Sequence, residues 1–542
     1  MKLETKLKDV NYRAKVVKLE TLNDHPDADR LKVAVVDFQN IVVGSGTQVG
    51  DLYIFVPAEA SINRDLLAFN NQFSKSCGLN VSQKYITIKD KPKLEDIIVW
   101  GNISPEEFIK LNGKKCIEMD KGVDYIVDGK YTIGGKFGFF EKYGRVKALK
   151  LRGVISEGYL MPISFANDWL ESKGVSFRIS EENVGEVFDS IGDEVFCKKY
   201  VNPNTNYKMI QVVNKDQSVK SFLYKFDMPI DEFNSINETS YTEKDKLEPR
   251  GYLVKKGNVK GRDKTVKRES RLVDNQFRLH VDTENLKRNM DKINPDDMIT
   301  ISEKHHGTSV VISRPLVKKK LNFLAKTLKK FGFDIVDTKY DLVYASRKVI
   351  KNQYADQVTQ DFYDTDIWGL HANEIADKVL EGHTVYGEIV GHTSTGSSVQ
   401  GGYDYGCSPK ESKLFVYRMT YTTPQGRVIE LSHPQVQNYC EKYGLEMPET
   451  HYHGYARDYK SDVKYVSEER NVFDWRKFFL LTLQEDFNEM DCHLCKNKVP
   501  REGIILRKES DTFEAFKLKS NRFLEGETKS LDKGESNMED EG

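Results

Sequence analysis

Residues 301–309 read ISEKHHGTS, an apolar strand-like run that ends in Lys304, three positions before Gly307. That order constrains the local fold. The strand has to stop near the lysine, and the glycine lets the backbone turn tightly and approach a bound group closely. Lys304 is a candidate nucleophile, because an amine attacks phosphorus only when neutral, and desolvation or nearby positive charge supplies that state. Taken alone, a lysine three residues before a glycine also describes many solvated loops, so the short match decides nothing.

Later strand-like runs supply the rest. VYASRK (343–348) ends a strand in Arg347, and TVYGEIVG (384–391) sets Glu388 inside an apolar run, where an unpaired carboxylate is costly. LFVYRM (414–419) offers Tyr417 as an aromatic face. EGIILR (502–507) sets Glu502 before a strand and Arg507 at its end. EAFKLKS (514–520) puts Lys517 and Lys519 on one side of a strand, because side chains alternate with period two. A candidate nucleophile, further cations, two acids and one aromatic suit a site that handles a nucleoside triphosphate. Each residue singly reads as a strand-edge ion pair; only the joint order argues for a site.

In this order the motifs resemble those of the covalent nucleotidyltransferases, and among them the ATP-dependent RNA ligases. The form EKHHGT, with histidine where DNA ligases and capping enzymes usually carry aspartate, is similar to the RNA ligase branch. The resemblance spans residues 273–525 and includes QGGYDYG (400–406). It implies that Lys304 forms lysyl-AMP, with Lys517, Lys519 and Glu502 completing the catalytic set. It implies ATP or AMP contacts at Glu303, Gly307, Arg347, Glu388, Tyr417 and Arg507, with Tyr417 stacking on adenine. Glu388 and Glu502 would position magnesium, for which manganese can substitute. The implied partner is RNA, as nicked or broken strands (tRNA and bridged duplexes included), joined 3′-hydroxyl to 5′-phosphate.

The N-terminal part reads as strands at 12–17, 31–36, 41–43 and 52–56, short β-branched runs separated by Asp, Gly and Asn. HPDADRLKVAVVD (25–37) is similar to a signature of tRNA-binding OB-fold domains. GDLYIFVP (50–57) and KLRGVISEG (150–158) resemble the first domain of RNA ligases that place an OB fold before the catalytic domain. Both resemblances imply a small β-barrel that holds single strands or duplex ends. The expected class is α+β. An OB-fold-like barrel occupies 1–200, with an insertion at about 63–130, followed by a basic linker at 201–272. A nucleotidyltransferase domain of antiparallel sheets with flanking helices follows at 273–525, and 526–542 form an acidic tail without fixed structure. Within the linker, residues 244–271 carry eleven Lys or Arg against four Asp or Glu and bury little apolar surface.

Three helices are expected in the catalytic region. Leu321, Leu324, Ala325, Leu328 and Phe331 fall at helical spacing, within an insertion whose residues 315–330 hold six lysines and no acid. That face is either solvated or a grip for RNA. Ala372, Ile375, Ala376, Val379 and Leu380 predict a second helix, and Ser432 starts a third with Pro434 in its first turn.

Composition bounds the remainder. The length of 542 residues suits about two to four domains, and the net charge of −1 leaves nucleic-acid affinity to local patches. Seven cysteines at wide spacings give no disulfide framework, which fits a reducing cytoplasm. No apolar run reaches the ~18 residues of a membrane span. A soluble, cytoplasmic, monomeric protein without a membrane partner is expected. CHLC (492–495) has the spacing of half a zinc site without a second pair nearby in sequence, and no GxxxxGK[ST] or GxSxG motif occurs. A DNA ligase or capping guanylyltransferase would carry an OB barrel after the last lysine motif, yet only 23 residues follow Lys519. A noncatalytic tRNA- or RNA-binding protein would leave the ordered acids and lysines without a task.

Overall fold

A computed structural model describes residues 2–74, 77, 79–81, 137–201, 271–321, 323–331, 333, 336–351, 354, 365–460 and 472–532. It also describes the strand backbones at 84–87, 98–101, 126–127, 132–134, 208–213, 219–224, 245–247 and 253–255. The chain divides into two compact units, 1–201 and 202–542.

In the first unit the β-branched runs pair antiparallel. Gly158–Pro162, Leu52–Pro57, Ala14–Lys18 and Val187–Phe188 form one sheet in that order. Thr21–Asp24, Leu31–Val36 and Gln39–Gly44 form a second. Strand alternation sends Val16, Ile54 and Val56 into a core with Phe188, Phe196 and Trp169, the last from the helix Ile163–Ser172. The expected insertion begins with the helix Arg64–Phe69, whose first amides are capped by the Asn63 side chain. Most of its remaining residues lie outside the described ones, as does most of the basic stretch 244–271.

The second unit holds two five-stranded sheets. The first runs Glu284–Asn285, Glu514–Lys519, Gly503–Lys508, Met298–Lys304, Thr450–Tyr455, antiparallel except at its Glu284 edge. The second runs Val343–Ser346, Thr308–Ser313, His383–Gly391, Ser412–Thr422, Val428–Glu430, antiparallel throughout. Residues 305–307 carry the chain from one sheet to the other, so the lysine turn is the seam between them. Val310, Ile312, Val385, Ile389 and Val416 bury one face of the second sheet against Trp368, Val436 and Cys440 from two helices. The class is α+β with antiparallel sheets.

The helix His433–Tyr443 follows its sequence signals, with a Ser432–Gln435 capping box, Pro434 in the first turn and left-handed Gly444 at its end. The helix expected around 372–380 instead occupies Ile367–Glu374, because the Asp366 side chain caps the Gly369 amide and starts it earlier. The final helix, Asn521–Asp532, runs into the segment expected to be an unstructured tail. Phe523 buries there and Glu527 holds Lys519, which orders those residues. No helix among the described residues is long and apolar enough to cross a membrane.

Candidate active site

Lys304 ends its strand opposite Gly503, which in turn lies opposite Lys519. The three positions share one face of the sheet, and the middle one carries no side chain. A side chain at Gly503 (φ +149°) would lie 2.0 Å from the Leu518 carbonyl oxygen, so only glycine fits there. A register shift between Ile301 and Ser302 bends the strand just before the lysine.

Glu502 closes this face. Its buried carboxylate lies 2.7 Å from the Lys304 ammonium and 3.8 Å from His306 Nδ1. The turn at Ser520 fixes the segment: the Ser520 amide donates to the Glu502 carbonyl at 2.8 Å, and its hydroxyl to the Arg501 carbonyl at 2.7 Å.

Side chains from the second sheet hold the lysine turn. The Gly307 amide donates to Glu388 at 3.1 Å, and the Ser309 hydroxyl donates to the other Glu388 oxygen at 3.0 Å. The Gln400 amide donates to the Gly307 carbonyl at 2.8 Å, and the His306 amide donates to the Tyr405 hydroxyl at 2.5 Å. A side chain at Gly307 would meet the Ile389 carbonyl at 2.3 Å, so the turn rests directly on the Glu388 strand. Here the buried carboxylate inside an apolar strand has its partners. His305 packs its ring against Tyr405 and Phe415, with centroids 5.0 and 4.3 Å away. Neither of its ring nitrogens finds a partner among the described residues. Burial first, then the Lys304 charge, lowers this imidazole to about 3, so it is neutral at ordinary pH.

Arg347 and Tyr417 complete the arrangement. Arg347 pairs with Asp282, and the Tyr417 hydroxyl bonds His280 Nδ1 at 2.9 Å. Burial raises the Asp282 carboxyl, but Arg347, His280 and Lys517 outweigh it and leave it below its ordinary pKa. Burial, then Glu388, pushes the half-buried Tyr417 hydroxyl up. These couplings gather Lys304, Gly307, Glu388, Glu502, Arg347, Tyr417 and Lys517 around the seam. Lys519 shares the Lys304 face, with its ammonium held by Glu527 at 3.0 Å.

Two expected residues stand apart. Glu303 lies on the opposite face of the strand from Lys304, where it pairs with Arg501 and His451, each at 3.0 Å. Alternation makes that outcome unavoidable for the residue beside the lysine, and its carboxylate is committed to a buried network rather than to a nucleobase. Arg507 pairs across the sheet with Thr300, four positions from Lys304 and thus about 13 Å along the strand. Its guanidinium lies 3.6 Å from Glu430 and 3.5 Å from Glu509, so it serves a buried ion cluster and not a phosphate contact. Arg501, Asp282, His280, Ser309 and Tyr405 were not singled out by sequence reasoning. Of these Tyr405 lies in the QGGYDYG loop and Ser309 ends the ISEKHHGTS run. Cys492 and Cys495 hydrogen-bond to each other, which lowers the Cys492 thiol to about 7. Among the described residues no metal-binding cluster gathers there or elsewhere.

The geometry fits a nucleophilic amine flanked by carboxylates and cations. The match to a family model points the same way. Residues 297–523 match the family model described as RNA ligase. No curated protein matches the sequence. Among solved structures, a variant of Naegleria gruberi RNA ligase with ATP and Mn is 10% identical, with a TM-score of 0.45, over 95% of this chain and 98% of that one. A second variant of that protein, without ligand, is 11% identical with a TM-score of 0.45, over 96% of this chain and 99% of that one. The matched region encloses the lysine turn, both carboxylates and every strand of the two five-stranded sheets except Glu284–Asn285; residues 297–523 of this chain are an RNA ligase domain by that match.

Proposed function

We propose that the protein joins a 3′-hydroxyl RNA end to a 5′-phosphate end at the expense of ATP. The observation that carries this reading is Lys304, set 2.7 Å from a buried carboxylate in a turn clamped by four further side-chain hydrogen bonds. Lys304 gives up its proton, for which Glu502 is the nearest acceptor, and attacks the α-phosphorus of ATP. A phosphorus–nitrogen bond forms as pyrophosphate leaves. The AMP then passes to the RNA 5′-phosphate, freeing Lys304. Attack by the 3′-hydroxyl on that activated phosphate forms the phosphodiester and releases AMP.

Each step needs in-line positioning and neutralised phosphate charge. Lys517 and Lys519 present positive charge on the sheet face of Lys304. Arg347 serves a ribose or incoming phosphate, and Tyr417 stacks on adenine. A magnesium ion keeps several waters and takes phosphate oxygens, so one or two carboxylates suffice to hold it. Glu502 and Glu388 are the two beside the turn, although both Glu388 oxygens already accept hydrogen bonds. When bound, the metal would neutralise charge on the reacting phosphates.

The first unit is read as an OB-fold-like barrel that holds RNA ends, supported by its short antiparallel strands and the hairpin at Leu149–Ser156. Incubation with radiolabelled ATP and denaturing electrophoresis tests the first step, and sealing of labelled RNA ends tests the last. Labelled protein followed by joined RNA is expected. Transfer of label from GTP in preference to ATP would point to capping chemistry instead.

A further inference from the structure

Lys519 lies two strands from Lys304, about 10 Å across the sheet, with Gly503 leaving the space between them clear of a side chain. A phosphate that meets both ammonium groups would sit over that gap. Fixing the end of a lysine stem costs rotamer freedom, so an ammonium already held in place gives up less on meeting a phosphate. The structure supplies a holder. Both carboxylate oxygens of Glu527 lie 3.0 Å from the Lys519 ammonium. Exposed ion pairs contribute little, but these side chains are only 16% and 12% exposed.

Glu527 stands on the helix Asn521–Asp532, which is pinned at its start. The Phe523 amide donates to the Ser520 hydroxyl at 3.1 Å, and that hydroxyl donates to the Arg501 carbonyl beside Glu502. The Asn521 amide donates to the Asn488 side chain at 2.8 Å, and Arg522 pairs with Asp491 at 2.8 Å. Phe523 and Glu527 are four positions apart and so share one helix face. The Phe523 ring is buried there, with the Lys519 ammonium 5.1 Å from its centroid and the His306 ring 4.9 Å away. One helix face thus meets both the lysine turn and the last lysine of the sheet. An ammonium carries three donors, so Lys519 can meet a phosphate oxygen while Glu527 keeps hold of it.

We propose that Glu527 is a positioning residue for AMP transfer, holding the Lys519 ammonium over the gap beside Lys304 where the α-phosphate reacts. This rests on the RNA ligase reading and adds to it a residue beyond the matched region 297–523. Glu527 acts through Lys519 and does not itself touch the nucleotide.

Single-turnover lysyl-AMP formation by the full chain, with radiolabelled ATP and magnesium, provides the test. Glu527→Ala should slow the maximal rate about tenfold or more, with the ATP concentration for half-maximal rate little changed. Glu527→Gln is nearly isosteric and keeps an amide oxygen for the ammonium, so it should be slower than the parent by only about threefold. Glu525→Ala, which removes the partner of Lys529 on the same helix, should match the parent. Lys519→Met should be slower than any of these, and Glu527→Ala added to it should cost nothing further, because nothing is left for Glu527 to position. A purely structural role would instead add its full loss in the Lys519→Met protein, and that result would overturn the proposal. So would a parent-like rate in both Glu527 variants. A lower ATP concentration for half-maximal rate with no loss of rate would make Glu527 a competitor of phosphate, and would overturn it too. A parent protein that takes no label would overturn the ligase reading together with this one, whereas the other contrary results leave that reading standing.

Discussion

Glu303 and Arg501 form a buried ion pair at 3.0 Å, while their chain neighbours Lys304 and Glu502 pair at 2.7 Å on the other side of the strand. Two adjacent residues on one segment thus answer two adjacent residues on another, with opposite polarity. The hidden pair shares the register that brings Lys304 and Glu502 together. Arg501→Met leaves Glu303 buried with only His451 beside it and should cost about 3 kcal/mol of stability in urea denaturation. Glu502→Gln should stay within about 1 kcal/mol of the parent while lowering AMP transfer by about a hundredfold or more. Equal loss of stability in the two variants would contradict this division of labour.

Tyr405 sits in left-handed backbone (φ +48°) with its hydroxyl on the His306 amide, two residues from Lys304. Tyr405→Phe keeps the packing against His305 but strands that amide, a loss of about 1–3 kcal/mol where it is not replaced. Single-turnover lysyl-AMP formation should slow by about tenfold, with the ATP concentration for half-maximal rate little changed. A shift in that concentration with no change in rate would show that Tyr405 serves ATP binding instead.

Tyr417 separates stacking from hydrogen bonding. Tyr417→Phe loses the hydroxyl's bonds to His280 and Ser309 and should leave the ATP requirement nearly unchanged, with about 1 kcal/mol less stability. Tyr417→Ala removes the ring and should raise the ATP requirement about tenfold. Equal damage from both substitutions would assign the function to the hydroxyl.

His305 carries a pH signature. Its folded pKa, about 3, lies below the ordinary value of 6.5, so the unfolded chain binds the extra proton between those values. The contribution is therefore present above pH 6.5 and is lost as pH falls toward 3. Between pH 7 and pH 5 it amounts to about 2 kcal/mol. His305→Phe, which suits an aromatic pocket and does not titrate, should flatten that part of the Tm profile. A variant that follows the parent profile would refute the assignment.

The sequence made the strands legible because each functional residue sat in a short apolar run with its own period. Leu31–Val36 and Glu514–Lys519 fall where alternation predicts them. Lys304, Glu388, Glu502 and Tyr417 were legible because a charge or ring in such a run needs a reason. Glu303 and Arg507 misled for the same cause: a charged residue beside a motif looks functional until the face it occupies is known. The partners that decide those cases, Arg501 and Glu430, arrive through long-range pairing that no local spacing encodes. The terminal helix was hidden because an acidic, Gly- and Ser-containing segment reads as solvated, while Phe523 and Glu527 order its first turns through contacts on other strands.

The central claim is that Lys304 is the residue that carries AMP. With radiolabelled ATP and magnesium, the parent protein should retain label through denaturing electrophoresis, and acid should release it, as a phosphoramidate requires. Lys304→Ala should carry no label. Lys6→Ala, which alters an ion-paired lysine of the first unit, should label like the parent. Label retained in the Lys304→Ala protein would contradict the account at its root.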